Sequence, residues 1–263
     1  MTQKLLLVDC EIKETKRGLQ RSCYAELTLM KLARKHGFHL DRFLLVDHPD
    51  MRKERVEKVF SEGNYPGIII NGSSFLNPLY DELGSGRFNS TVLRIIEHAF
   101  ESSIPLLGIC YGHLMIARFL GERLPVRLLR VGFVETELTE KGQQHWVFAG
   151  VPARVLTPQF HAVAIREAKY SEVLAKSGII TQAIACNNAI GLQFHPDFHG
   201  DVDGKGTGAA KYFYETDFEF RKYHDLYRKF SRKTPVIEPD GASNIYATNN
   251  LPLLNFVSHC LRR

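Results

Sequence analysis

The 263-residue chain has no long hydrophobic run: its apolar stretches, such as Leu5–Val8 and Ile68–Ile70, fall far short of the ~20 residues a helix needs to cross a bilayer. No transmembrane helix and no membrane partner are expected. A CxxC pair is also missing. The five cysteines, Cys10, Cys23, Cys110, Cys186 and Cys260, form an odd and scattered set, which argues against a disulfide framework or a cysteine zinc site. Charge of one sign is scarce: 34 basic side chains face 29 acidic ones, and the excess of five is matched by Arg221–Lys233 alone, with six basic residues and one acidic. A single run of this kind without a recognition motif reads as a solvated helix face, so nucleic acid is not an expected partner. Ahead of Lys4 there is no charged leader, apolar block or small-residue cleavage site, and a mature cytoplasmic protein is the expectation. What remains is an ordinary globular composition, 44% hydrophobic and 11% aromatic, long enough to bury a core without staples.

The first two-thirds alternates short apolar strands with helical patterns. Strands are expected at Lys4–Asp9, Leu40–Val46, Ile68–Asn71 and Pro105–Ile109. Helices are expected at Cys23–His36, Met51–Glu62 with Asp50 as cap, Ser90–Glu101 and Tyr111–Leu120. Strands apolar on both faces and separated by helices require an α/β fold with a doubly wound, mostly parallel sheet, whose sites lie at the carboxyl ends of the strands. From Arg127 to Phe194 the pattern turns β-rich, with Val131–Leu138, Ala153–Leu156, Thr181–Cys186 and Ala189–Phe194 as additional, partly antiparallel strands of the same domain. The Gly- and Asp-rich stretch Gly200–Gly208 reads as a loop. It matches neither a phosphate loop, since Lys205 is followed by Gly206, nor a calcium loop, since Tyr212 stands where an acid is needed. Thr216–Arg232 carries Tyr223, Leu226, Tyr227 and Phe230 at amphipathic spacing. Pro235–Asn250 looks irregular, and Leu251–Leu261 closes the chain as a short apolar helix. The expected organisation is therefore one domain over residues 1–199, an inserted loop and amphipathic helix over 200–250, and a terminal helix over 251–263 packing back on the domain.

Chemistry concentrates in Gly108-Ile109-Cys110-Tyr111-Gly112, between a buried strand and a helix. Such a turn is a nucleophile elbow: it lifts the thiol above the sheet, and the flanking glycines let the backbone fold sharply. The helix N-terminus behind it favours thiolate and points backbone N–H groups at a developing oxyanion. A thiol nucleophile needs a base, and the base an orienting acceptor. Phe194-His195-Pro196-Asp197 follows the last strong strand. In an extended stretch residues i and i+2 point the same way, so Asp197 can hold one imidazole nitrogen of His195 while the other faces Cys110.

These residues resemble the class I glutamine amidotransferases, whose Gly-x-Cys-x-Gly turn and late His-Pro-Glu are matched by Gly108–Gly112 and His195-Pro196-Asp197. The resemblance runs from about Lys4 to Asp197. It includes Gly67–Ser73, similar to the family's strand and glycine turn, and Gln159-Phe160-His161, similar to its pocket-side histidine segment. It implies a flavodoxin-like fold. It also implies that Cys110 attacks the side-chain amide of glutamine through a γ-glutamyl thioester and releases ammonia while His195 shuttles protons. The backbone N–H groups of Tyr111 and Ser73 would form the oxyanion hole, and Gly72, Leu114 and His161 would border the substrate. No cofactor and no metal are implied.

Three positions depart from the family pattern. The usual glutamate is Asp197, one methylene shorter. The second glycine of the oxyanion turn is Ser73. The glutamine that helps to bind substrate is Leu114. The roughly sixty residues beyond Asp197 are too few for an ATP-dependent synthetase, so any ammonia acceptor is expected on a separate chain. Two other readings stay open: a stand-alone γ-glutamyl-type hydrolase or transferase acting on another amide, and a non-catalytic scaffold or regulatory component of the same fold. A partner-dependent glutaminase gains activity when the synthetase is added, a free hydrolase works alone, and a scaffold leaves Cys110 unreactive.

Overall fold

The computed structural model describes residues 4–10, 12–15, 18–21, 29–30, 33, 37–73, 76, 78, 85–124, 126–197 and 242–262. They build a nine-stranded mixed sheet and a separate two-stranded hairpin. The parallel half comprises β1 (Lys4–Asp9), β4 (His39–Leu44), β5 (Ile68–Ile70), β6 (Leu106–Ile109) and β11 (Ala189–Leu192). The antiparallel half comprises β7 (Val126–Leu138), β8 (Arg154–Ala164), β9 (Glu172–Ser177) and β10 (Ile180–Cys186). The spatial order is β4-β1-β5-β6-β11-β10-β9-β7-β8. The hairpin pairs β2 (Ile12–Thr15) with β3 (Gly18–Arg21).

Period-two alternation explains why β1 and β5 read as unbroken apolar runs. Leu6, Val8, Ile68 and Ile70 turn to one face, where they pack with Val56 and Phe60 of α1 (Lys53–Gly63), Val92 and Ile96 of α2 (Ser85–Glu101), and Met115 and Ile116 of α3 (Tyr111–Phe119). Leu5, Leu7 and Ile69 turn to the other face, against Leu29, Ala33 and the Leu253, Phe256 and Val257 stripe of α5 (Ala242–Cys260). Both faces are covered, so a strand with no polar side is the stable choice. The short α4 (Glu140–Gln144) is capped by Thr139, whose hydroxyl accepts from the Gly142 N–H at 3.0 Å.

Several boundaries differ from the sequence reading. The second helix starts at Lys53 with Arg52 at its cap. Asp50 instead sits at φ 53°, its N–H tied to the Arg87 carbonyl and its carboxylate paired with Arg94 at 3.1 Å. The final helix begins at Ala242, so the last nine residues of the stretch expected to be irregular are helical. Strand β8 runs to Ala164, well past Leu156, because Pro158 lies on an edge strand where a missing N–H is tolerated. Strand β9 and the β2–β3 hairpin are elements that periodicity does not announce; Lys176 and Glu172 in one and the charged Lys13, Glu14 and Arg21 in the other mask the pattern. Of the helix expected over Cys23–His36, residues 29–30 and 33 are described and are helical. The loop expected over Gly200–Gly208 and the helix expected over Thr216–Arg232 lie outside the described residues. Among those residues no helix is long and apolar enough to cross a membrane.

Candidate active site

Strands β5, β6 and β11 end side by side at the middle of the sheet, and the candidate residues leave from their carboxyl ends. β6 is wholly buried, and the next residue, Cys110, adopts φ 51° and ψ −99° before α3 begins. A non-glycine residue there is strained by roughly 1–3 kcal/mol and needs its surroundings to hold it. Two hydrogen bonds do so: the Cys110 N–H donates to the Leu192 carbonyl at 2.7 Å, and the Cys110 carbonyl accepts from Leu114 at 3.1 Å. The turn also brings α3 hard against β5, where a Cβ on Gly112 would stand 2.3 Å from the Ile70 carbonyl oxygen. Glycine is therefore obligatory at that flank of the elbow.

His195 reaches the same place from β11. Its N–H donates to the Pro158 carbonyl of β8 at 2.9 Å, and its Nδ1 meets Oδ1 of Asp197 at 3.1 Å. Burial alone would push the imidazole pKa down. Asp197 foremost, by its charge and hydrogen bond, and then the neighbouring Cys110 outweigh burial and hold it well above the ordinary histidine value. Since Nδ1 is taken by Asp197, Nε2 is the ring nitrogen left for the thiol. The structure brings Cys110, His195 and Asp197 to one place beside Gly72, all three residues being buried, with Asp197 at 1% exposure. The segment is held from outside: Asn250 of α5 donates its side-chain N–H to the Pro196 carbonyl, and the neighbouring Asn249 donates to the Leu156 carbonyl of β8 at 2.7 Å.

The other candidates divide. Gly72 is brought to the pair, since a Cβ there would lie 3.0 Å from Cε1 of His195 and 3.5 Å from Cβ of Cys110. Ser73 follows it, its hydroxyl accepting from the Leu76 N–H at 3.0 Å. The Tyr111 phenol is directed away, donating to Asn89 Oδ1 at 2.7 Å inside the helical layer, so its backbone N–H is the group it can offer at the elbow. Leu114 belongs to the apolar cluster on that same helical side. His161 lies in a buried polar cluster: its Nε2 meets Gln159 Oε1 at 3.2 Å, and Gln159 in turn donates to Thr157 at 3.2 Å. Burial, then the positive charges of Arg130, His195 and His113, lower the His161 pKa to about 3. The two histidines are driven in opposite directions, one toward the cation and one toward the neutral ring.

Sequence reasoning missed three contacts. The Cys110 thiol donates to the Phe160 carbonyl at 3.5 Å, Gln193 approaches the sulfur, and Asn250 fastens the acid loop. Each joins segments 50 or more residues apart, a distance over which periodicity carries no signal. Among the described residues no group of three His, Cys, Asp or Glu side chains could hold a metal ion, and the described cysteines, Cys10, Cys110, Cys186 and Cys260, are not in disulfides. Chemically, an imidazole oriented by a carboxylate beside a thiol at a helix N-terminus can take the thiol proton and return it to a leaving amine.

The chain is similar to known proteins. Over 100 residues the chain is 39% identical to a glutamine-hydrolyzing GMP synthase of Thermomicrobium roseum, an alignment covering 37% of this chain and 18% of that enzyme. Over 139 residues it is 29% identical to a glutamine-hydrolyzing GMP synthase subunit of Pyrococcus abyssi, covering 51% of this chain and 67% of that protein. The chain thus spans less than a fifth of the first relative and about two thirds of the second. A glutamine amidotransferase structure from Thermotoga maritima superposes with a TM-score of 0.69 over the full length of both chains at 17% identity, which establishes the shared fold. The model of the family described as glutamine amidotransferase class-I matches residues 33–212, a span that contains the elbow, Gly72, His161, His195 and Asp197, and the chain is a member of that family.

Proposed function

We propose that this protein hydrolyses the side-chain amide of glutamine and delivers the ammonia to a synthetase on a partner chain. The observation that carries the reading is the buried alignment of Cys110, at a strained elbow, with a histidine whose Nδ1 is held 3.1 Å from Asp197. Sγ of Cys110 attacks the amide carbon, and the N–H groups of Tyr111 and Ser73 receive the oxyanion. The C–N bond breaks as the His195 imidazolium gives its proton to the departing nitrogen, which leaves as ammonia. Water then adds to the γ-glutamyl thioester, its proton passing to His195, and glutamate leaves as the thiol is restored. Gly72, Leu114 and His161 border the substrate in this reading. The partner chain is supported by the Pyrococcus relative, which by its name is one component of a larger synthase.

Leu114 favours a second reading, a stand-alone hydrolase of another γ-glutamyl-type amide. A leucine one turn after the nucleophile offers no hydrogen bond to a polar substrate group, and loss of one bond to a charged group is worth roughly 1.5–3 kcal/mol. Ammonia release separates the two. A partner-dependent glutaminase shows weak glutamine turnover alone and a rise when the synthetase is added. A stand-alone enzyme prefers an amide with an apolar neighbour and gains nothing from a partner.

A further inference from the structure

We infer that Gln193 is the positioning residue that steadies the Cys110 sulfur when its proton leaves; this rests on the nucleophile reading proposed above. Gln193 follows β11, is fully buried, and directs its Nε2 at Sγ from 3.9 Å. Its backbone is pinned by donation to the Gln182 carbonyl at 2.8 Å, and it stands two residues before His195.

The surroundings of the sulfur explain what the amide does there. The Phe160 carbonyl, 3.5 Å away, can only accept, so it takes the S–H of the thiol. The group Gln193 turns toward the same sulfur then has to be its N–H end. Once the S–H proton leaves, the Phe160 oxygen repels the thiolate while the Gln193 N–H holds it more strongly, because a hydrogen bond to a charged partner is the stronger kind. The two groups form a balance, with Phe160 favouring the resting thiol and Gln193 favouring the thiolate beside His195. The amide is also retained at a cost that packing does not explain: among the described residues its Oε1 is buried without a hydrogen-bond partner. A methionine would fill nearly the same volume with no orphaned acceptor.

The test follows the thiol directly, in the full chain. Alkylation of Cys110 by iodoacetamide is measured against pH by mass spectrometry for wild type, Gln193→Met and Gln193→Glu. Half-buried Cys186, whose thiol pKa burial and Glu122 push up, serves as a slow internal reference. At pH 7 the Met variant is expected to label at Cys110 about tenfold more slowly and the Glu variant more slowly still. The rate at Cys186 stays constant, and kcat for glutamine falls in parallel while KM moves less than twofold. In the wild-type protein, whose fold no substitution disturbs, the Gln193 side-chain amide resonance should move with the pH dependence of Cys110 alkylation and stay still in Cys110→Ala. A Met variant that labels within twofold of wild type, or an amide resonance indifferent to pH, overturns the role of Gln193 and leaves the nucleophile assignment standing. Wild-type Cys110 labelling no faster than Cys186 overturns that assignment and this role with it.

Discussion

Gly72 lies against the edge of the His195 ring: a Cβ at position 72 would stand 3.0 Å from Cε1. His195 cannot step back, since its Nδ1 is held by Asp197 and its backbone N–H by Pro158. Gly72→Ala should therefore leave the fold intact but tilt the imidazole off the line between Asp197 and Cys110, and misplacement of a reacting group by a fraction of an ångström is expensive in rate. The expected outcome is a fall of about tenfold or more in kcat with a change in unfolding free energy below ~1 kcal/mol. Steady-state kinetics beside urea unfolding measures both. An Ala variant with wild-type kcat would mean that the ring has room the geometry does not show.

Asp197→Asn isolates the orienting acid. The variant should lose substantial turnover, yet less than Cys110→Ala or His195→Ala, because Asp197 touches the base and not the reacting carbon. It also removes the largest contribution raising the His195 pKa. The folded-state pKa of His195 lies above its unfolded value, so its stabilisation is complete below about pH 6.5 and is lost as pH rises through the raised value. In Asp197→Asn this alkaline loss should shrink, and the His195 Cε1–H resonance should titrate at lower pH. Turnover within twofold of wild type would assign the orienting role to another carboxylate.

His113 and His161 bear on the opposite end of the pH scale. Burial is the first cause in both, and each pKa is lowered to about 3. Between pH 6.5 and 3 the unfolded chain binds protons that the folded one refuses, so stability falls as pH falls through that window. At pH 5 the loss is about 2 kcal/mol for each histidine. His161→Gln should therefore flatten the acid limb of the stability curve relative to wild type, while lowering stability at pH 7 through the lost contact with Gln159. Urea midpoints from pH 7 to pH 4 provide the comparison; parallel curves would contradict the burial argument.

Leu114 is 4% exposed among the apolar side chains of the helical layer, and only the proposed reading makes it a neighbour of the substrate. Leu114→Gln should improve glutamine hydrolysis by the isolated chain, mainly through KM, at a stability cost of about 1–3 kcal/mol for burying an amide. If the unmodified chain alone already works with a micromolar KM, other pocket residues make the contacts assigned to this position.

Much of this is readable from sequence for identifiable reasons. β1, β5 and β6 are apolar on both faces because helices cover both, so Leu5–Val8 and Ile68–Ile70 announce a parallel sheet without any contact map. The elbow and the His195-Pro196-Asp197 segment are local, and each is specified within five residues. What stays hidden depends on tertiary pairing. Gln193 meets Cys110 across 83 positions, and Asn250 grips Pro196 across 54. Asn249 and Asn250 make their stretch look irregular, yet both sit in α5 and spend their amides on the carbonyls of Leu156 and Pro196. Pro158 looks like the end of a strand, whereas its carbonyl is the acceptor that seats His195.

Whether Cys110 is the nucleophile is read most directly by mass spectrometry of the full chain after treatment with the glutamine-mimicking electrophile diazo-oxo-norleucine. One adduct per chain is expected, located on Cys110, formed slowly or not at all in His195→Ala, and blocked by excess glutamine. Labelling spread evenly over the five cysteines, or an adduct on any other residue while Cys110 stays free, would contradict it.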